Sequence, residues 1–144
     1  MLVAGVLAFG AVTSAPTAYA EPFFANYSLN VEGRYDFHTW TWAVTHCIPA
    51  APDCAHIQAI PMPTAKAFEY SGDARLVDGR YTLEVDVPDG LRCGNIYYGP
   101  VIATRDVYEW DAGTLRGALT SSFATGCDGA PGGSFTYPMS LVRL

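Results

Sequence analysis

Apolar and polar residues alternate along most of the chain with a period of two, the spacing of a strand whose faces meet different surroundings. The clearest run is Arg80 to Val87: Tyr81, Leu83, Val85 and Val87 point one way, and Thr82, Glu84 and Asp86 the other. Asp78-Gly79 precedes it, after Ala74-Arg75-Leu76-Val77, and predicts a two-residue hairpin turn because both residues tolerate positive φ. Pro88-Asp89-Gly90 then predicts the end of the strand and a loop towards Cys93. Trp40, Trp42 and Val44 alternate with Thr39, Thr41 and Thr45, which predicts a half-buried strand. Leu29 to Phe37 alternates less regularly, with a break at Gly33. Two weaker strands are predicted at Cys54 to Ile60 and Ala65 to Tyr70, kept apart by Pro61 and Pro63, which cannot donate to a ladder. Four more follow at Val101 to Thr104, Val107 to Trp110, Thr114 to Phe123 and Ser134 to Leu144. Asp111-Ala112-Gly113 reads as a turn and Gly126 to Gly133 as a loop. No window carries a capped helical stripe. The fold class is therefore all-β: a single antiparallel β-barrel or β-sandwich domain of about eight to nine strands. Its last strand ends the chain, so truncation there is expected to harm folding.

The first twenty residues break this pattern. Met1 to Ala20 carries no charge, runs apolar from Leu2 to Val12 and ends in Ala18-Tyr19-Ala20. The run is shorter than the roughly 20 residues that span a bilayer and matches the apolar region and cleavage site of a signal peptide. This divides the chain into a signal peptide, 1–20, and one exported β domain, 21–144. No Lys or Arg precedes Leu2, which a start codon assigned too far downstream would explain. No cysteine stands near the cleavage site, so a free, unlipidated Glu21 is expected, and no transmembrane anchor. Eight basic against fourteen acidic residues give a net charge of −6, with Lys66 the single lysine. That excludes the basic footprint of a nucleic-acid binder.

Cys47, Cys54, Cys93 and Cys127 are an even set in a chain bound for an oxidising compartment. Cys47 and Cys54 bracket a turn-rich insert that fits a local bridge, which leaves Cys93 for Cys127. On the chain-entropy model the two closures contribute roughly 2.5 and 3.8 kcal/mol. The rival is metal binding, since His46-Cys47 and Cys54-Ala55-His56 gather donors that zinc accepts. The spacing is longer than that of a zinc knuckle, and a disulfide consumes both thiolates, so the reading is disulfides, no metal and no cofactor.

Several stretches carry a resemblance: Gly72-Asp73-Ala74-Arg75-Leu76-Val77-Asp78-Gly79-Arg80-Tyr81-Thr82-Leu83, Val87-Pro88-Asp89-Gly90-Leu91-Arg92-Cys93, Tyr108-Glu109-Trp110-Asp111, and the ending from Gly126-Cys127 to Tyr137-Pro138. From about Arg34 onward the chain resembles small exported proteins of unknown function from mycobacteria and related actinobacteria. The resemblance implies a secreted or cell-envelope location and transfers no catalytic residue; only the paired cysteines carry over, as structural bridges.

Candidate chemistry is sparse. His38 and His46 share parity with Trp40 and Trp42, which reads as packing or rim. No G-x-S-x-G elbow occurs, and Ser121-Ser122 sits mid-strand, where a solvent-facing role is expected. Asp86, Asp89, Asp106, Glu109 and Asp111 read as solvated faces and turns. Tyr97-Tyr98 lies in a loop that would close one end of a barrel. An eight-stranded barrel either fills with side chains or holds one small ligand. Trp40, Trp42, Tyr81, Leu83 and Val85 should form its inward face, with Trp40, Trp42, Tyr97 and Tyr98 as candidate ligand contacts. The function expected is binding of an apolar or amphipathic envelope molecule rather than catalysis. An envelope-directed hydrolase and a structural envelope component without a ligand are the alternatives.

Cleavage is expected after Ala20. Intact-mass measurement of the exported protein checks this, and a mature chain that still carries Met1 would defeat it.

Overall fold

The computed structural model of the chain describes Gly10 and residues 23–34, 38–64 and 67–144. All of the expected signal peptide but Gly10 lies outside the described residues, as do Tyr35 to Phe37 and Ala65-Lys66 of two expected strands. Eight strands follow in order: β1 Asn26–Val31, β2 Thr39–His46, β3 Cys54–Met62, β4 Tyr70–Val77, β5 Arg80–Arg92, β6 Val101–Asp111, β7 Arg116–Thr125 and β8 Pro131–Arg143. Each pairs antiparallel with the next, and β8 returns to β1 through Tyr27↔Arg143 to Val31↔Met139. The result is a closed up-and-down barrel.

Alternation builds it. Along β5, Tyr81, Leu83, Val85 and Val87 are buried, while Glu84 and Asp86 stand on the outer wall and bond to Arg105 at 2.8 and 3.1 Å. The hairpin turn forms as expected, with φ of +50° at Asp78 and +78° at Gly79. Both disulfides form as paired above, Cys47–Cys54 and Cys93–Cys127.

Four expectations are corrected. β5 does not stop at Pro88 but runs on to Arg92, because the register against β6 slips between Val87 and Leu91; a bulge tolerates the missing N–H. β6 is one strand, not two. Tyr70 begins a strand instead of ending one, and Ala67 to Glu69 lie outside any strand. β3 also passes through Pro61, because beyond Ala59 it is laddered to β2 alone.

The interior is filled by a column of aromatic rings. Phe23 stacks on Tyr27 at 4.5 Å and meets Tyr81 at 5.2 Å, which plugs one end. Tyr81 stacks on Trp110, Trp110 meets Trp42, and Trp42 meets Tyr108, with centroids 5.1–5.3 Å apart. Tyr70 then links Tyr108 to Trp40. Trp42, Trp110, Ile57, Leu83 and Leu119 are wholly buried around this axis. At the plugged end the Leu144 N–H donates to the Asn26 carbonyl at 2.9 Å, so both ends of the described barrel meet there. The described parts of the connections that follow β1, β3, β5 and β7 gather at the opposite, loop end.

Because β8 ladders to both β1 and β7, deleting Met139 to Leu144 should abolish cooperative unfolding. Val142→Ser, on the outward face of the same strand, should change stability by less than about 0.5 kcal/mol. Urea titration followed by tryptophan fluorescence reads both.

Candidate functional site

The loop end carries the polar chemistry of the molecule. Alternation places Thr104, Asp106, Tyr108 and Trp110 on the inward face of β6, and Leu119 and Ser121 on that of β7. Asp106 is wholly buried. Its Oδ1 accepts hydrogen bonds from Thr104 Oγ1 at 2.8 Å and Ser121 Oγ at 2.6 Å, and its Oδ2 pairs with Arg34 Nη1 at 3.2 Å. Arg34 reaches inward from the β1–β2 connection and also donates through Nη2 to the Gly90 carbonyl at 2.6 Å. Gly90 lies at the β5 bulge, where a Cβ would collide with the Thr104 hydroxyl; only glycine lets the backbone come this close. A buried carboxylate with a guanidinium and two hydroxyl donors is well compensated. Removing one partner alone costs roughly 3–5 kcal/mol, because the other charge is left buried.

The polar groups continue into the core. The Arg34 guanidinium acts on the Tyr108 hydroxyl electrostatically, Tyr70 donates to Tyr108 at 2.9 Å and Trp42 Nε1 donates to Tyr70 at 3.0 Å. Burial pushes the Tyr108 phenol well above its ordinary range, with Arg34 offsetting part of the rise. Burial likewise raises Tyr70, and the neighbouring Tyr108 raises it further.

Above this network the loops form a groove of about 280 Å³, lined by Ala67, Phe68, Asp89, Arg92, Tyr97, Tyr98 and Val101. Arg92 organises it. Its Nη1 donates to the Tyr97 carbonyl at 2.8 Å, its Nη2 to Asp89 Oδ2 at 3.3 Å, and its guanidinium stands 5.4 Å from the centre of the Tyr97 ring. Tyr98 meets Tyr97 edge-on at 4.5 Å. Tyr98 is 91 % exposed and Phe68 61 %. The Cys93–Cys127 bridge ties the β5–β6 connection to the β7–β8 connection at this end. A second trough, of about 200 Å³, is lined from Leu29 to Trp40, with Arg34 and His38 among its walls.

Of the four candidate ligand contacts, Tyr97 and Tyr98 stand in the groove. Trp40 lies below the loops, 8 % exposed, between His38 and Tyr70. Trp42 is sealed in the barrel centre. Asp106 and Ser121, expected to face solvent, are both buried, and their parity with Tyr108 and Leu119 was the signal for it. Phe68 and Arg92 were not singled out by sequence, and nothing local marks Arg34, whose partner lies 72 positions away. His46 packs on the Phe24 ring at 4.0 Å. His56 Nδ1 bonds to Asp73 Oδ1 at 2.7 Å, but on the outer wall and half exposed. Among the described residues no hydroxyl nucleophile is hydrogen-bonded to that pair.

The two buried tyrosines set an alkaline limit on stability. Above pH 10 the unfolded phenols ionise, while Tyr70 and Tyr108 stay protonated in the fold, so the unfolded state binds fewer protons. Stability is then complete below about pH 10 and falls above it, by about 1.4 kcal/mol per pH unit for each tyrosine. Urea unfolding from pH 9 to 11.5 should show this fall, and Tyr108→Phe should flatten it; an unchanged midpoint across that range would contradict the network.

No protein-family model, curated protein or solved structure matches the chain.

Proposed function

We propose that the protein is an extracytoplasmic binding domain that holds an apolar or amphipathic envelope molecule at the loop end of its barrel and catalyses no reaction on it. The observation that carries this reading is the groove between Phe68 and Tyr98, two largely exposed rings above a polar Arg92–Asp89 floor. Exposed aromatic rings offer area for an apolar guest at small conformational cost, and the paired charges can meet a headgroup that both donates and accepts hydrogen bonds. The occupied interior makes the rim, rather than the lumen, the contact surface. Two disulfides, the signal-like first twenty residues and the resemblance to exported actinobacterial proteins support the extracytoplasmic location. No helix among the described residues is long and apolar enough to cross a membrane. The hydrolase alternative gains no support from the exposed His56–Asp73 pair. The filled interior favours a second reading, a structural envelope component without a ligand.

Titration with a zwitterionic lysophospholipid, kept below its micelle concentration, separates the two. Saturable binding is expected, and Tyr98→Ala or Phe68→Ala should each weaken it roughly three- to tenfold. Both side chains project into water, so the unfolding free energy should move by less than about 0.5 kcal/mol. Absence of saturable binding to the wild-type chain would leave the structural reading standing.

A further inference from the structure

We propose that the Cys47–Cys54 bridge is the oxidised form of a redox-gated zinc site in which Asp73 is the third protein ligand. The sulfurs of Cys47 and Cys54 and a carboxylate oxygen of Asp73 all lie within 4.8 Å of one another. Strand register puts them there. Cys54 and His56 share the outer face of β3, and on β4 they stand opposite Arg75 and Asp73. Cys47 follows directly on β2, whose Thr45 is paired with His56.

A tetrahedral zinc with Zn–S near 2.3 Å and Zn–O near 2.0–2.2 Å holds its ligands about 3.5–3.8 Å apart. Opening the bridge to that separation moves each sulfur by about 1 Å. Two sulfurs and one oxygen are a donor set for zinc, not for calcium or magnesium, and water completes the fourth position.

His56 is not a ligand in this site. Its ring nitrogen bonds to Asp73 Oδ1 at 2.7 Å and fixes the direction of the carboxylate, as partners of metal-bound carboxylates do. Asp73 and His56 are about 40 % exposed, so a cation has a path from solution, whereas the sulfurs are covered. Arg75, across from Cys54, offsets part of the negative charge. Among the described residues no third donor gathers at the same reach around Cys93 and Cys127.

The gate is the disulfide itself. A dithiol reductant gives two electrons and two protons to the sulfur–sulfur bond and becomes a disulfide. Zinc then replaces the two thiol protons, which pass to solvent. Reoxidation reverses both steps and expels the metal. The site is independent of the groove and of any ligand held there.

The test uses the full chain, with the bridges opened by a water-soluble phosphine, which takes the oxygen of one water while its two protons go to the sulfurs. Anaerobic titration with cobalt(II) should give thiolate-to-cobalt charge-transfer absorption at one equivalent, which zinc then removes. The oxidised chain should show none. Asp73→Asn, with both cysteines intact, should weaken binding by about 100-fold or more, and His56→Ala by about tenfold or more. The double variant C93S/C127S should bind as the wild type does. No charge-transfer band in the reduced chain would overturn the proposal. So would an Asp73→Asn chain that binds as tightly as the wild type, because thiols in an unfolded chain would capture the metal without the carboxylate.

Discussion

Closing eight strands on themselves creates an interior that eight inward stripes of side chains must fill, and the rest of the molecule follows from how this sequence fills it. Aromatic rings do most of the filling. From Phe23 at the plugged end to Trp40 below the loops, each ring stands against the next. A column of this kind fixes strand register, because a one-residue slip of β2 or β6 would carry Trp42 or Trp110 to the outer wall. It also occupies the volume that a ligand-carrying barrel keeps open.

Polar groups enter this column from the loop end and stop near its middle. Their order is physical. The charged groups, Arg34 and Asp106, lie nearest the water; the neutral phenols of Tyr108 and Tyr70 lie deeper, and the indole N–H of Trp42 ends the series. Each deeper group is cheaper to bury than the one before it. Arg34 arrives from a connection, not a strand, so the same ion pair that satisfies the Asp106 carboxylate also holds the β1–β2 connection across the barrel mouth. Rim and core are thereby one cooperative unit.

Much of this was readable in the sequence because alternation is a local signal. The inward face of Trp40, Trp42, Tyr81, Leu83 and Val85, the Asp78-Gly79 turn and the Cys47–Cys54 bridge follow from neighbours within a few positions, and Cys93–Cys127 is then the pairing that remains. What was misread had partners elsewhere. Pro88 ends a strand when judged alone; in the barrel it sits at a register slip that β6 defines. Asp106 resembles any surface aspartate until its parity with Tyr108 and Trp110 is followed. Arg34 has no signal of its own. Phe68 fell in a stretch read as a strand, so its place with Tyr98 in the lining of the groove was hidden. Barrel and sandwich were indistinguishable beforehand, because the pairing of β8 with β1 joins the two ends of the domain and leaves no mark in either.

The meeting of Leu144 with Asn26 gives the barrel a direction. Both ends of the described domain leave from the Phe23-plugged floor, while the Phe68–Tyr98 groove opens at the far pole. A purification handle, a fused domain or a surface joined at Leu144 therefore attaches to the floor of the barrel, at the pole opposite the groove. Immobilisation through that end would present every molecule in the same orientation, with the groove turned outward.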